Sequence, residues 1–248
     1  MKHSAYILAT VALAALALAC QPDDIDTTPA ARPEYRIKSF DNFSFSYDEN
    51  GDLASISTKG VTRTLRRDGK TLFIEIDGAV EYKLTINKDG FATKIERSGH
   101  NWTIDYTKAG YLSKVSLDGV QKTTQKVSLN NIDSWTKYDL NSDFWNINEA
   151  TYLPKKNVGG VQSLWAEESG LERWMFEARL LGNASANVLE SSRWSYSGER
   201  QDENTSVYDY EYDVNGCIVQ EIRYYGKWDE ETVEGLKRVE SHTFSWEK

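Results

Sequence analysis

Glycines recur at nearly regular intervals over one stretch of the chain, and this spacing most restricts the folds that the chain can adopt. Eight of the 16 glycines lie at positions 51, 60, 69, 78, 90, 99, 110 and 119, and five of them directly follow Asn or Asp. Glycine adopts positive φ at no steric cost, and Asn or Asp tolerates the same region, so these dipeptides mark tight turns. The stretch 47–119 is therefore predicted to be a series of short segments joined by tight turns.

The segments between these turns alternate between apolar and polar residues. The alternation is clear in residues 43–48 (FSFSYD), 82–87 (YKLTIN) and 102–106 (WTIDY). A period of two residues is typical of a β-strand with one buried face and one solvated face. Because the turns are tight, consecutive strands are predicted to pair as antiparallel hairpins.

One hairpin unit repeats imperfectly along the chain. Residues 47–56 (YDENGDLASI), 86–95 (INKDGFATKI) and 106–115 (YTKAGYLSKV) each place an apolar residue four positions before the glycine and another five positions after it. A fourth copy lies at 208–218 (YDYEYDVNGCI). The spacing favours a type I turn followed by a left-handed glycine in a bulge, so these glycines are predicted to be structural.

The regular spacing is lost between residues about 130 and 197, a stretch rich in tryptophan. Within this insert, Ser169 and Glu172 have the spacing of a capping box, and Gly182 is a candidate helix stop. The sequence predicts one short helix there, buried nearly all round, that plugs or covers the sheet. Trp135, Trp145, Trp165 and Trp174 all lie in this insert.

The N-terminal segment has the features of an export signal. Residues 1–19 combine Lys2 with an apolar run that is short for a membrane span, and the run ends at Ala17-Leu18-Ala19-Cys20. This tetrapeptide resembles a bacterial lipobox, which implies that Cys20 carries the lipid anchor. The alternative is an ordinary signal peptide with an incidental cysteine. The resulting organisation is a signal over 1–19, a lipidated tether over 20–34 and a single domain over 35–248.

Two short motifs in the tether suggest where the protein is located. Asp23, Asp24 and Asp26 follow the candidate lipidated cysteine, as in the surface-export signals of Bacteroidota lipoproteins, and Asp26-Thr27-Thr28 resembles their O-glycosylation motif, with Thr27 as acceptor. We therefore expect an outer-membrane lipoprotein exposed at the cell surface, with the periplasmic face as the alternative location. A plain acidic tether is the alternative interpretation of both motifs.

Taken together, these motifs resemble a group of Bacteroidota lipoproteins that have an uncharacterised β-rich domain described as porin-like. The shared features are the lipobox, the tyrosine-aspartate (YD-type) hairpins, the stretch 180–185 (LLGNAS), the late Tyr-x-Tyr-Asp segment at 210–213 and a terminal aromatic strand at 241–246. The resemblance covers residues 35–248. No activity is established for the group, so it implies no functional residues.

The expected architecture is all-β with one short helix. We predict an antiparallel up-and-down meander that forms a closed or nearly closed soluble barrel with a helical insert, since closure removes exposed strand edges. A membrane barrel needs strands of about 9–11 residues with an apolar outer face. The predicted strands have about six residues and one polar face, which argues against a membrane-spanning barrel.

No catalytic or metal-binding motif stands out, and enzymatic activity is left open. The histidines are His3, His100 and His242, of which the first lies in the signal, and no recognised metal, nucleophile or phosphate-binding motif is present. We predict no cofactor and no metal. The net charge of −9 argues against a nucleic-acid partner. A glycosidase pair among the many carboxylates stays possible, because its two members need not be close in sequence.

The aromatic residues give the best functional hypothesis. Trp135, Trp145 and Trp165 lie in the irregular insert, where binding residues are often carried by a rigid scaffold. We therefore predict a non-catalytic binding or accessory module, anchored to the membrane by lipid, for a glycan or a small apolar ligand. The alternatives are a glycoside hydrolase-like enzyme and a purely structural envelope protein. For single tryptophans the alternative role is packing, and Cys217 is predicted to be an inert thiol.

Overall fold

The protein is a closed barrel of antiparallel strands. The computed structural model describes residues 34–138, 146–165, 169–196, 203–227 and 236–248. Every strand pairs with its sequence neighbours, and β1 pairs with β16 to close the sheet. The strands are β1 (Arg36–Phe40), β2 (Phe43–Tyr47), β3 (Leu53–Thr58), β4 (Val61–Asp68), β5 (Thr71–Ile76), β6 (Ala79–Ile86), β7 (Ala92–Arg97), β8 (His100–Tyr106), β9 (Leu112–Leu117), β10 (Val120–Ser128), β11 (Asn131–Lys137), β12 (Asn146–Lys156), β13 (Asn187–Tyr196), β14 (Glu203–Tyr212), β15 (Ile218–Lys227) and β16 (Lys237–Glu247).

This topology confirms the predicted all-β, up-and-down barrel. Because the strands alternate in direction, their connections fall at two opposite ends. We call "rim A" the end that holds the β2–β3, β6–β7, β8–β9 and β14–β15 turns, and "rim B" the end that holds the β1–β2 and β5–β6 turns. The β12–β13 connection also starts and finishes at rim A.

The tyrosine-aspartate turns at rim A have the predicted geometry, and the aspartate has a structural role. Asp48 accepts hydrogen bonds through Oδ1 from the backbone N–H groups of Asn50 (2.9 Å) and Asp52 (3.0 Å). Gly51 follows at φ +80°, and the strand register shifts next to the turn, between Ser46 and Tyr47. Asparagine or aspartate oxygens accept the same two bonds in the turns at 87–91 and 213–217. The motif therefore builds hairpins.

The turns at rim B are shorter. Asp77 and Gly78 form the whole β5–β6 connection, with φ values of +50° and +79°. Positive φ at both central residues is the type I′ geometry that matches the twist of paired strands. Rim A holds both the longer bulged turns and two-residue turns, at 69–70 and 129–130.

The strands lengthen in the second half of the chain. β1 to β9 have five to eight residues, as the sequence predicted. The prediction of about six residues is wrong for β12 to β16, which have 10 or 11. In the described part of this half, the glycine turn at 213–217 is the one copy of the turns that mark strand ends in the first half, so turn spacing gives little indication of these longer strands.

The irregular insert is narrower than the predicted 130–197 and runs through the barrel interior. Residues 131–137, 146–156 and 187–196 are barrel strands, which leaves 157–186 as the connection, and its described residues, 157–165 and 169–186, fill the interior. It contains the single helix of the described residues, α1 (Arg173–Glu177), whose Trp174 and Met175 are each 1% exposed. The predicted buried plug is therefore present. Within the described residues, no helix has the length and apolar character needed to cross a bilayer.

The predicted capping box is wrong. Glu172 is itself the N-cap of α1, and no side chain caps the helix. Its carboxylate instead accepts hydrogen bonds from Tyr82, from Arg97 Nη1 (2.9 Å) and from Trp174 Nε1 (2.6 Å). Ser169 Oγ accepts from the nearby Leu171 N–H (3.3 Å). Partners on the barrel wall outcompete the local capping pattern.

Candidate functional site

The barrel interior has two chemically different sectors. In the first, the strands β1 to β9 present mainly apolar side chains to the insert, and α1 packs its Trp174, Met175 and Phe176 against them. The buried apolar residues of this sector are Ile37, Phe40, Phe45, Ile56, Ile74, Tyr82, Leu84, Ile86, Ala92, Ile95, Trp102, Ile104, Leu112 and Val115. The second sector, on β10 to β15, carries buried polar groups.

We call these polar groups the inner polar wall. Trp135 packs in one cluster with Leu164 of the insert, and Glu221 pairs with Arg173 of α1. Both side chains therefore face the barrel interior. The other members lie opposite these residues or alternate with them along the strands, which places them on the same face. The wall consists of Thr123, Gln125, Trp135, Ser192, Ser206, Tyr208, Glu221 and Arg223.

Three wall residues form a contiguous group on β10 and β11. Gln125 lies directly opposite Trp135 in the strand register, and Thr123 is two positions along the same strand face. All three side chains are at least nine-tenths buried: Thr123 is 0%, Trp135 6% and Gln125 8% exposed. We call this group the β10–β11 triad.

Each member of the triad carries an unpartnered polar atom. Among the residues that the structure describes, Thr123 Oγ1, Gln125 Oε1 and Trp135 Nε1 are buried and have no hydrogen-bond partner, and the same holds for Glu221 Oε2 elsewhere on the wall. Burying a polar group without a partner costs about 1–3 kcal/mol, and nearly all such groups in proteins are satisfied. Concentration of these atoms on one wall indicates a place for water or for a ligand.

A buried ionic cluster links the wall to the plug. Arg173 donates from Nε to Glu177 Oε1 (3.1 Å) and from Nη2 to Glu221 Oε1 (2.9 Å). Glu177 has a fully buried side chain and also accepts from the Gln162 backbone N–H at 3.3 Å. One guanidinium thus holds two carboxylates from different parts of the fold.

The pKa values of this cluster follow from burial and mutual charge. Burial by itself would lower the pKa of Arg173, but the charges of Glu221 and Glu177 raise the pKa above its usual value. Burial raises the pKa of Glu177, and the Arg173 charge opposes this rise. The arrangement fixes the plug against β15. Glu177 is enclosed on all sides, so the cluster lacks the open acid/base pair of a glycosidase.

Near rim B the inner wall is aromatic and cationic. Trp194 and Tyr225 stack with ring centroids 6.0 Å apart, and the Arg223 guanidinium lies 6.0 Å from the Tyr225 ring. Arg223 donates from Nε to Ser206 Oγ (3.0 Å) and pairs with Glu240 (3.3 Å). The positive charge of Arg223 is therefore already matched by a carboxylate.

Two histidine–aspartate pairs at rim B have equivalent geometry and a structural role. His242 Nδ1 lies 2.7 Å from Asp41, whose second oxygen accepts from the Thr243 backbone N–H at 2.9 Å. His100 makes the same 2.7 Å contact with Asp118 on a different hairpin, again with a backbone N–H on the second oxygen. Because the same histidine–aspartate contact occurs at two hairpins, we assign it a structural role in holding neighbouring strands together. No three His, Cys, Asp or Glu residues within the described ranges are placed to hold a metal.

The apolar sector has its own charged closure at rim B. Arg63 and Arg97 both pair with Glu81, at 2.7 and 3.1 Å, and Arg97 also pairs with Glu172 at 2.9 Å. The Arg97 guanidinium lies 4.5 Å from the Tyr82 ring centre. The adjoining cleft, of about 10 Å³, has room for about one water molecule. This network seals the sector.

The structure separates the predicted binding tryptophans. Trp135 is buried on the inner wall, and Trp165 is half-buried in the apolar cluster, with its ring 5.7 Å from that of Phe176. They do not form one exposed face. Trp145, Cys20 and Thr27 lie outside the described residues, so their predicted roles stay predictions. Cys217 is a buried free cysteine, and burial raises the pKa of its thiol to about 11, as expected of an inert thiol.

Sequence reasoning missed most of the polar wall. Thr123 and Gln125 alternate in an ordinary polar segment, 121–126 (QKTTQK), whose inward face cannot be recognised without the insert. The sequence also gives no indication of the buried ionic cluster of Arg173, Glu177 and Glu221, because its ion pairs join residues up to 48 positions apart. The i,i+4 spacing of Arg173 and Glu177 was the one available local signal.

Comparison with known proteins identifies the fold. The sequence matches no described protein family and no curated protein. The structure is similar to a porin-like protein from Bacteroides uniformis, with a TM-score of 0.59 and 16% identity over 83% of this chain and 90% of that chain. It is also similar to a porin-like protein from Bacteroides vulgatus, with a TM-score of 0.53 and 10% identity over 85% and 98% of the two chains. At these identities the likeness shows a shared barrel fold.

Proposed function

We propose that this protein is a lipid-anchored β-barrel of the bacterial envelope that binds a ligand on its inner polar wall and performs no chemistry on it. The observation that carries the proposal is the set of four buried, unpartnered polar atoms among the described residues of that wall. A barrel that served only as a structural component would gain stability from apolar residues at those positions, as in its own first sector.

The outer surface supports a barrel that faces water. Outward side chains form ion pairs across neighbouring strands, such as Lys83 with Glu96 (3.3 Å) and Lys114 with Asp105 (2.6 Å). A membrane barrel instead presents an apolar band to lipid. A lipid on Cys20 would therefore provide the membrane attachment, with surface exposure proposed from the acidic tether and the periplasmic face as the alternative. The tether motif also motivates glycosylation of Thr27.

The filled interior favours binding over transport. The similar crystal structures are described as porin-like, but here the described residues of the 157–186 insert lie inside the barrel, where Trp174 and Leu181 are each 1% exposed. Side chains packed to this degree close the apolar sector to solutes. The polar sector holds four of the buried unpartnered atoms found among the described residues, so it is the place where a ligand would be held.

Replacing Cys20 tests the anchor. Cys20→Ser removes the thiol that would carry the acyl chain, so we expect complete loss of metabolic labelling by a palmitate analogue and release of the protein from the membrane fraction. Cys217→Ser is the matched control, because Cys217 is buried in the barrel, and it should label like the parent chain. Full labelling of Cys20→Ser would overturn the lipoprotein assignment.

A ligand screen with two tryptophan variants tests the binding site. The purified full chain is titrated with neutral oligosaccharides, uronic-acid oligosaccharides and palmitic acid, and any bound ligand is checked by mass spectrometry for chemical change. Trp135→Phe keeps a ring in the buried cluster but removes the unpartnered N–H, so we expect about five- to tenfold weaker binding.

Trp165→Phe is the matched control in the apolar sector and should bind like the parent. Loss of binding in Trp165→Phe alone would show that the binding site lies on the insert instead. If neither the parent nor the control binds any ligand, the proposed binding function is wrong. Turnover of a bound oligosaccharide would favour the hydrolase alternative.

A further inference from the structure

The β10–β11 triad has a definite donor and acceptor pattern. Trp135 Nε1 can only donate a hydrogen bond, Gln125 Oε1 can only accept one, and Thr123 Oγ1 can do either. The three groups lie on adjacent strands of one sheet face, with Gln125 and Trp135 directly opposite each other. Directly opposed side chains on a sheet are about 4.5–5.5 Å apart at Cβ, a separation that one ligand can bridge.

The pattern distinguishes between ligand classes. An apolar ligand would form a hydrogen bond with none of the three atoms, so the free-energy cost of burying them unpaired would remain. An anion offers acceptors only, so it would leave Gln125 Oε1 unpaired. A hydroxyl group both donates and accepts, so neighbouring hydroxyls on one molecule can satisfy all three atoms.

The packing of Trp135 limits how it would contact such a ligand. Its ring is 6% exposed and lies in a cluster with Ile132, Leu164 and Leu189. Its faces are therefore used for packing, which leaves the indole N–H for recognition. This differs from the stacking of a sugar ring on an exposed tryptophan.

We propose that the β10–β11 triad is a subsite for a neutral polyhydroxylated ligand, a sugar residue, held by hydrogen bonds without ring stacking. The Trp135 N–H donates to one ligand hydroxyl, Gln125 Oε1 accepts from another, and the Thr123 hydroxyl bridges to either. The inference rests on the proposed binding function and narrows its ligand to one chemical class.

The test uses variants that should move stability and binding in opposite directions. Thr123→Val and Gln125→Leu remove buried polar atoms that lack partners in the free protein, so each variant should unfold at a higher urea concentration than the parent. Because each also removes one ligand contact, each should bind neutral oligosaccharides about five- to tenfold more weakly. Thr103→Val, at an exposed position on β8, is the control for the substitution and should change neither property.

Each other outcome overturns the inference in a recognisable way. If palmitic acid or a uronic-acid oligosaccharide binds and neutral oligosaccharides do not, the binding function stands and the sugar subsite is wrong. If the variants unfold at a lower urea concentration with binding unchanged, the triad holds a structural water. If none of the probes binds the parent chain, the binding function and the subsite fail together.

Discussion

Arg173→Met is expected to lower the free energy of unfolding by about 3–5 kcal/mol, because it leaves two buried carboxylates without their cation. Glu177 and Glu221 both accept hydrogen bonds from this one guanidinium, and their side chains are 0% and 2% exposed. Methionine fills a similar volume, so the loss reports charge more than packing. Urea unfolding at neutral pH measures the effect.

An exposed ion pair supplies the matched control. Lys114 pairs with Asp105 at 2.6 Å, and the two side chains are 40% and 56% exposed. Exposed pairs contribute about 0–1 kcal/mol, so Lys114→Met should lower stability by no more than that. Equal losses in the two variants would show that the Arg173 cluster is no more important than a surface pair.

The loss of stability caused by Arg173→Met should also depend on pH. The direction of this dependence follows from the Glu177 pKa. Burial already raises that pKa in the parent protein, and removal of Arg173 removes the charge that opposes the rise. A carboxyl whose pKa is raised on folding stabilises the folded state below the unfolded pKa, and this contribution is lost as pH rises through the folded pKa. The difference in stability between variant and parent should therefore shrink as pH falls. A constant difference from about pH 8 to about pH 4 would contradict this account.

The hairpins were predictable because their determinants are local. Asp48 and Gly51 act within five residues of each other: one oxygen accepts two nearby N–H groups, and one glycine takes positive φ. Alternation then orients every strand, since a shift of one residue would bury the charged face. These two signals were sufficient to predict the all-β meander and its closed barrel.

The candidate site could not be predicted, because its determinants are long-range. Whether Gln125 faces water or the interior depends on an insert that begins more than 30 positions later, at residue 157, and crosses the barrel. The predicted helix shows the same limit. Ser169 and Glu172 have capping-box spacing, yet Tyr82 and Arg97 on distant strands bind the Glu172 carboxylate instead.

The stretch 180–185 fixes the plug to rim A. The Leu180 carbonyl accepts from the Ala92 backbone N–H (2.8 Å), and Asn183 bonds to two carbonyls, donating from its backbone N–H to Gly110 (2.9 Å) and from Nδ2 to Ala109 (2.8 Å). Ser185 Oγ accepts from the Ile132 N–H at 3.0 Å. These residues join the insert to β7, to the β8–β9 turn and to β11, so the stretch controls how the interior is filled.

Gly182, at the centre of this stretch, allows the insert to lie close against the backbone of the barrel. Its φ is +98°, and a Cβ there would lie 2.9 Å from the Gly110 carbonyl oxygen and 3.2 Å from the Leu112 backbone nitrogen. Both neighbours are backbone atoms of the barrel wall, so neither can swing aside. We expect Gly182→Ala to lower the free energy of unfolding by about 2–5 kcal/mol, from conformational strain together with overpacking.

Gly60→Ala separates the two contributions. Gly60 has φ +80°, and a Cβ on this residue would meet no atom within 4 Å, so alanine there should cost only the strain, about 1–2 kcal/mol. The additional loss of stability in Gly182→Ala, compared with Gly60→Ala, measures how closely the plug must pack against rim A. Because the plug also carries Arg173 and Leu164 to the polar wall, Gly182→Ala should weaken ligand binding as well, whereas Gly60→Ala should leave it unchanged. Equal losses of stability in the two variants would show that the plug does not depend on this approach.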